Sequence, residues 1–359
     1  MIRICLRAET KKFEKRSPLS PESAKTLIDR GFHIYVEESK ERCFDIDCFR
    51  SVGCSIIPSD AWIDLPSDFY ILGLKELPET LSKLKHKHIY FGHAFKEQVG
   101  WKKLLEKYKR GGGSLIDMEF LTSSEGRRVA AFGYWAGYCG AALAVMNWCK
   151  QQLNDRGFLS FIYSFKNRDT LSEELNKQYA LARKRTASIP SVVVIGYKGR
   201  CGTGATDLLS QLGITPVLWD IEDTKGKGPL IETLGQNILI NCSLVMPDTE
   251  PFLLPEHVNT LDRKLSVICD VSCDPTSPYN PLPIYSKTTT FNNPIQSLSK
   301  NDNLLDLIAI DHLPSLLPLE SSLDFSDQLL GTLLQLGQND CYELNAAISK
   351  FHAVLAMLE

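Results

Sequence analysis

Four consecutive apolar β-formers, Val192-Val193-Val194-Ile195, run directly into Gly196-Tyr197-Lys198-Gly199-Arg200-Cys201-Gly202-Thr203-Gly204. A strand with no polar alternation must be covered on both faces, which points to a parallel sheet flanked by helices. A helix through Asp207, Leu208 and Leu209 follows, and the strand Val217–Trp219 then ends at Asp220, 24 residues after Gly196. This order predicts a dinucleotide-binding unit. Gly196 permits a tight turn, Gly199 lets backbone approach a pyrophosphate, and Gly202 permits close helix packing. The helix N-terminus, with Arg200, Thr203 and Gly204 in its first turns, offers amide donors to phosphate. Asp220 can accept the adenosine ribose hydroxyls and would repel a 2′-phosphate, which favours NAD over NADP. Two features keep other readings open. The spacing is G-x-x-G-x-x-G-x-G instead of the usual G-x-G-x-x-G, as an ordinary α/β turn also allows, and Lys198 and Arg200 could serve a 2′-phosphate.

The same periodicity recurs along the chain. Strands are predicted at 2–6, 33–36, 69–74, 87–91 and 114–116 in the first third, then at Ile238–Asn241 and 266–269. Helices are expected from Ser20-Pro21-Glu22-Ser23 through Ile28, over 98–108 up to the three glycines 111–113, and over 132–152. Gly157 opens a short apolar stretch ending near Phe165. Residues 166–186 read as a helix plus loops, and helices are expected over 304–310, 325–336 and 342–358. Alternating strands and helices at this length, 359 residues, argue for two α/β domains. Forty basic side chains face forty-three acidic ones, so a broad nucleic-acid-binding surface is not expected. Residues 129–148 come nearest to a bilayer span. They are broken by glycines and carry Asn147, and read better as a buried helix. Eleven scattered cysteines fit a reducing, cytosolic setting.

Several polar residues fall where such sheets bind ligands. Lys75 follows one predicted strand and His93 the next, so adjacent strands would bring both to one sheet edge. A histidine exchanges protons near neutral pH, and a lysine does so when burial or a nearby cation depresses its pKa. The plain alternative is a surface lysine and a loop histidine. Arg16, Lys96, Arg127 and Arg128 are candidate cations for substrate carboxylates, with solvated or structural ion pairs as the competing reading. Glu119 could balance a buried cation. Cys201 and Cys242 both lie at carboxyl ends of second-domain strands and form a candidate redox pair; two unrelated buried thiols are the alternative. Cys269 and Cys273 lack the partners a zinc site needs, so no metal is expected.

Leu6-Arg7-Ala8-Glu9-Thr10, Gly73-Leu74-Lys75-Glu76-Leu77-Pro78, Gly126-Arg127-Arg128-Val129-Ala130-Ala131-Phe132-Gly133, Gly199-Arg200-Cys201-Gly202 and Asp311-His312-Leu313-Pro314-Ser315-Leu316-Leu317-Pro318 span nearly the whole chain in order. Together they resemble the fungal saccharopine dehydrogenases, the NAD-dependent, L-lysine-forming type, within the wider alanine dehydrogenase and transhydrogenase group. The resemblance implies two Rossmann-like domains, each with a mostly parallel sheet, separated by a cleft. Residues 1–130 with 320–359 would form the substrate side. Residues 131–319, including an interdomain helix, would bind NAD. It implies oxidation of saccharopine to lysine and 2-oxoglutarate, the last step of lysine synthesis by the aminoadipate route, in a cytoplasmic monomer without nucleic-acid or membrane partners. Lys75 and His93 would be the acid–base pair. Arg16, Lys96 and Arg128 would be substrate or active-site cations, Glu119 would tune charge, and Asp311 would sit near the nicotinamide. An alanine-dehydrogenase-like amino-acid oxidoreductase and a non-catalytic NAD-binding redox sensor using Cys201 and Cys242 are the other readings.

Overall fold

The structure, a computed structural model, describes residues 1–96, 98–154, 161–244, 246–247, 249–260, 262–299 and 303–358. The expected apolar stretch opened by Gly157 lies partly outside the described residues. The chain divides into two compact units, Met1–Ala131 with Pro318–Glu359, and Phe132–Leu317.

In the first unit the chain runs β1 (Arg3–Leu6), α1 (Pro21–Asp29), β2 (His33–Glu37), α2 (Ile46–Ser51), β3 (Ser55–Ile57), β4 (Tyr70–Leu72), β5 (Lys87–Tyr90), α3 (Trp101–Gly111) and β6 (Ser114–Asp117). The strands form one parallel sheet in the order β3-β2-β1-β4-β5-β6. Winding therefore reverses between β1 and β4, the place where open α/β sheets bind ligands. Ser20 caps α1 by accepting from the Ser23 amide at 3.1 Å, with Pro21 in the first helical position. Gly112 at φ +73° ends α3, which extends past Tyr108. The α2–β3 pair carries no strong apolar pattern and is not anticipated from sequence.

The second unit contains α4 (Gly133–Leu153), α5 (Arg168–Thr186), β7 (Val192–Ile195), α6 (Arg200–Gln211), β8 (Val217–Trp219), α7 (Ile221–Thr224), β9 (Ile238–Asn241), α8 (Pro255–Val258), β10 (Val267–Asp270), β11 (Gln296–Ser297) and β12 (Asp306–Ile308). Its sheet has the order β11-β12-β10-β9-β7-β8, parallel except at β11. Helices α9 (Pro318–Leu333) and α10 (Tyr342–Ala356) close the chain within the first unit. Among the described residues no helix is long and apolar enough to cross a membrane.

One helix expectation is corrected and another is extended. Residues 304–310 contain strand β12 (Asp306–Ile308) and no helix, and both faces of the segment are buried. Leu305, Leu307 and Ala309 enter one core, while Ile308 and Ile310 enter the other. A strand covered on both sides shows an unbroken apolar run and mimics a buried helix. The helix expected within 166–186 is α5, which runs unbroken over Arg168–Thr186 and is fixed at its start by a reciprocal Asn167–Thr170 capping box.

Small residues let α4 approach α6 closely. A Cβ on Gly137 would collide with the Cys201 carbonyl, and one on Gly204 with the Tyr134 carbonyl. Gly204 is thus needed for helix packing, because a side chain there would meet α4 backbone.

Candidate active site

In the first unit, polar side chains gather at the carboxyl ends of β1, β4, β5 and β6. Lys75, just past β4, is half-buried. Burial holds its ammonium below the ordinary lysine range. The Arg16 cation pushes the same way, and the Glu14 carboxylate partly opposes it. Arg16 lies between β1 and α1. Its Nε donates to Glu14 Oε1 at 2.9 Å and its Nη2 to Oε2 at 2.6 Å, with both side chains buried. The loop after Arg16 is fastened by α9, where Ser322 and Ser326 hydroxyls each accept a backbone amide, from Ser17 and Ser20, at 2.8 Å. Arg16 is thus engaged by a carboxylate on its own unit, as are the other expected cations, Lys96, Arg127 and Arg128.

Glu119, whose side chain is 12% exposed, receives Lys96 Nζ at 2.6 Å and Arg128 Nη2 at 3.1 Å on the same Oε1. His93 Nδ1 stands 3.9 Å from Oε2. Burial alone would raise the Glu119 pKa. The hydrogen bond and charge of Lys96, then Arg128 and His93, reverse the shift and keep it ionised below the usual range. His93, Lys96, Glu119 and Arg128 therefore form one charge cluster. Arg127 points away and pairs with Glu125. His93 occupies a left-handed backbone conformation, φ +51°, which side-chain-bearing residues rarely adopt. The turn rests on Asp117, a fully buried residue whose Oδ1 accepts the Glu119 amide at 3.0 Å. His93 also borders a cavity of about 230 Å³ with Glu76, Tyr90 and Trp101.

The second unit contains the glycine-rich turn. Gly196 has φ +80°, and its amide donates to the Trp219 carbonyl at 2.7 Å. A Cβ there would lie 2.8 Å from Cys242 and Ser243 backbone atoms, so the ends of β7 and β9 touch only because residue 196 is glycine. A Cβ on Gly202 would collide with the Gly196 carbonyl. Gly199 is the N-cap of α6 and has no such crowding. Arg200 is exposed at the helix start, and the Thr203 hydroxyl donates to the Gly199 carbonyl at 3.0 Å. Asp220 accepts the Ile221 amide at 2.8 Å and the Lys198 amide at 3.1 Å. Lys198 Nζ lies 2.9 Å from Glu222, which neutralises a cation that could have served a second phosphate. A cavity of about 460 Å³ is lined by Gly196, Asp220, Ser243 and the apolar Leu244, Met246 and Phe252. An acid at one rim and apolar walls suit an adenosine: the sugar hydroxyls meet the carboxylate and the base meets carbon. The residues present therefore fit a dinucleotide.

Cys201 and Cys242 are both free thiols. Burial pushes Cys201 up to about 11 and Cys242 well above the ordinary thiol range; a charge on Cys201 would raise Cys242 further. Asp311 follows β12 and receives His312 Nδ1 at 2.5 Å. Beneath this edge, buried Asp270 accepts Tyr285 Oη at 2.7 Å and Asn241 Nδ2 at 2.9 Å. Asn241 Oδ1 in turn accepts the Ser243 hydroxyl at 2.7 Å. Sequence reasoning assigned no role to Arg7, Glu9, Glu14, Asp117, Asn241 or Asp270. The Glu14-x-Arg16 spacing was the one local signal.

The first unit and the start of α4 match the alanine dehydrogenase/PNT N-terminal domain family over residues 5–139. The saccharopine dehydrogenase [NAD(+), L-lysine-forming] of Emericella nidulans is 46% identical over 344 residues, covering 93% of this chain and 92% of that protein. The enzyme of the same name from Schizosaccharomyces pombe is 44% identical over 342 residues, covering 93% of each chain. The chain belongs to this saccharopine dehydrogenase family. Among solved structures, an L-alanine dehydrogenase superposes with a TM-score of 0.69 at 16% identity over the whole of both chains. A transhydrogenase from Sinorhizobium meliloti gives 0.62 at 13% identity, covering 93% of this chain and 94% of that one. At such identities the likeness is one of fold, two α/β units with mostly parallel sheets. Within the family, the likeness to the curated relatives is spread over both units, so it takes in the Lys75 and His93 edges and the Gly196 turn alike.

Proposed function

We propose that this chain is an NAD-dependent, L-lysine-forming saccharopine dehydrogenase, the enzyme that its curated relatives are named for. The observation that carries the site assignment is Lys75: half-buried at the β1/β4 switch point, held below the ordinary ammonium range, one strand away from His93.

Saccharopine is a secondary amine joining lysine to the α-carbon of glutamate. At neutral pH that amine is protonated and has no lone pair to assist hydride departure. Lys75, whose ammonium form is disfavoured by burial and by Arg16, takes this proton on Nζ. NAD, when bound, accepts the hydride that leaves the glutamyl α-carbon. The resulting imine adds water, and the carbinolamine then breaks its C–N bond. His93 takes a proton from the attacking water and returns one to the departing lysine amine. Glu119 stands beside the imidazole, while Lys96 and Arg128 keep that carboxylate ionised. Arg128, about half exposed, also offers donors to a substrate carboxylate. Arg16 acts on the charge of Lys75, its fork being held by Glu14. In the second unit, Gly199, Gly202, Arg200 and Thr203 line the phosphate turn and Asp220 takes the ribose. Asp311 serves the nicotinamide end. Residues 1–130 with 320–359 are the substrate side and 131–319 the NAD side. The enzyme acts as a cytoplasmic monomer.

Purified protein supplied with NAD and saccharopine should produce NADH, lysine and 2-oxoglutarate in equal amounts. NADH from alanine with no lysine from saccharopine would overturn the substrate assignment.

A further inference from the structure

Arg7 and Glu9 grip the backbone of Lys75 from both sides. Glu9 Oε1 accepts the Leu74 amide at 2.6 Å, and Oε2 accepts the Lys75 amide at 3.0 Å. Arg7 Nη2 donates to the Lys75 carbonyl, and Nη1 donates to the Ala8 carbonyl at 3.1 Å. The two side chains are themselves paired, Nη1 to Oε2 at 3.3 Å, and are only 1% and 7% exposed.

We propose that Arg7 and Glu9 are a positioning pair for Lys75, fixing the direction in which its side chain leaves the β4 strand. The proposal rests on Lys75 being the base assigned above.

Three features distinguish this from ordinary closure of β1 against β4. The strand ladder already closes the sheet: the Arg7 amide donates to the Leu72 carbonyl at 3.0 Å, and the Gly73 amide to Ile89 at 3.0 Å. The grip begins where that ladder ends, on both polar backbone atoms of Lys75. Holding N–H and C=O of one residue fixes its peptide planes, and with them the Cα–Cβ vector. The sequence also makes room for it. A Cβ on Gly73 would collide with the Arg7 guanidinium, so residue 73 must lack one for Arg7 to cross β4. Finally, a fully buried arginine is costly unless its donors are satisfied. Here its acceptors, the Lys75 and Ala8 carbonyls and the Glu9 carboxylate, lie on the segment it grips and beside Arg7 itself, and Tyr90 supplies a ring face 5.9 Å from Cζ.

The direction matters because the surroundings of Lys75 set its charge. The groups facing it are Arg16, Glu14, Lys11 and Glu76. Displacement toward solvent would lower both the burial and the Arg16 contribution that disfavour its ammonium form.

The test is the pH dependence of Lys75 labelling by an amine-acylating reagent, followed by mass spectrometry in the full-length protein. Glu9→Gln keeps one acceptor but puts an NH2 against a backbone amide. Arg7→Lys keeps the charge but loses the fork. In both, the pH at which Lys75 becomes reactive should rise by about one unit, and kcat for saccharopine oxidation at pH 7 should fall about 10–100-fold, while KM for NAD stays unchanged. Leu27→Ala, a core truncation in α1, should lower thermal stability without moving the labelling profile. A labelling profile unmoved in whichever variant folds, or moved equally by Leu27→Ala, overturns the proposal. Failure of both site variants to fold while Leu27→Ala folds would assign the pair to stability and overturn it as well. Labelling needs no substrate, so an unmodified protein that fails to oxidise saccharopine would sink the functional reading separately.

Discussion

Arg16 and Glu14 form a buried two-pronged ion pair, with Nε to Oε1 at 2.9 Å and Nη2 to Oε2 at 2.6 Å, and the net effect of the two on Lys75 differs by residue. The arginine disfavours a charged Lys75, and the glutamate favours it. Removing Arg16 therefore acts twice in one direction, because it deletes a repelling cation and leaves an attracting anion uncompensated. Arg16→Gln should move the acidic limb of the kcat/KM profile to higher pH and reduce turnover at pH 7. A pH–rate series on the variant checks the direction. A limb that moves down, or stays put, would show that Lys75 is not the group being read.

Asp220 works on both neighbours of the dinucleotide turn. Its carboxylate accepts the Lys198 amide of the glycine loop and the Ile221 amide that starts α7. Asp220→Ala should weaken NAD binding and narrow the preference over NADP, with some loss of stability from the lost cap, about 1 kcal/mol. Asp220→Asn retains one acceptor and should keep more of the cap than of the NADP exclusion. Titrations of both nucleotides against each variant separate the two effects. Equal turnover efficiency with NAD and NADP in the unmodified protein would refute the role.

The legible and illegible parts of this molecule differ in range. Val192–Asp220 could be read because strand, turn, helix and acid follow one another locally, and parallel strands bury both faces. Lys75 and His93 could be placed because each follows closely on a strand and β4 pairs with β5. The supports of that site could not. Glu9 reaches Lys75 across 66 residues, and Asp270 reaches Asn241 across 29. Neither pairing leaves a periodic trace. Residues 304–310 failed for the opposite reason, since burial on both faces erased the alternation that separates strand from helix.

His88 predicts an acid sensitivity. It is fully buried at the centre of β5, with Trp62 and Tyr108 rings 5.4 and 5.5 Å away. Burial, reinforced by His86 and Arg7, pushes its pKa down from 6.5 to about 3. The unfolded chain therefore binds a proton between pH 6.5 and 3 that the folded chain refuses. Stability is full above pH 6.5 and is lost as pH falls through that window. At 1.36 kcal/mol per unit the upper limit is about 4–5 kcal/mol, reached only near pH 3. His88→Phe should flatten the loss between pH 6.5 and 4.5. Denaturant unfolding of both proteins across that range measures it, and parallel slopes would remove His88 as the cause.

The thiols yield the last prediction. The thiolate is the reactive form of cysteine, and burial pushes Cys201 up to about 11 and Cys242 higher. Near pH 8 roughly one Cys201 in a thousand would be ionised, against roughly a fifth of an ordinary free thiol with a pKa near 8.5. Iodoacetamide should therefore modify Cys201 far more slowly at pH 8 than the exposed Cys48. The Cys201 rate should climb tenfold per pH unit toward pH 11. A disulfide joining Cys201 to Cys242 requires the same ionised form for attack, so it should form slowly at neutral pH and faster in alkali. Once formed, it should lower NAD affinity, because Cys201 sits in the first turn of α6 and the Cys242 backbone touches Gly196. Reductant should restore binding. Mass spectrometry of protein held with a mild oxidant at pH 7 and pH 10, followed by NAD titration, tests both steps. Complete pairing within minutes at pH 7 would contradict the burial argument and favour a redox sensor. Unchanged NAD affinity in fully oxidised protein would leave the two thiols as neighbours without a regulatory role.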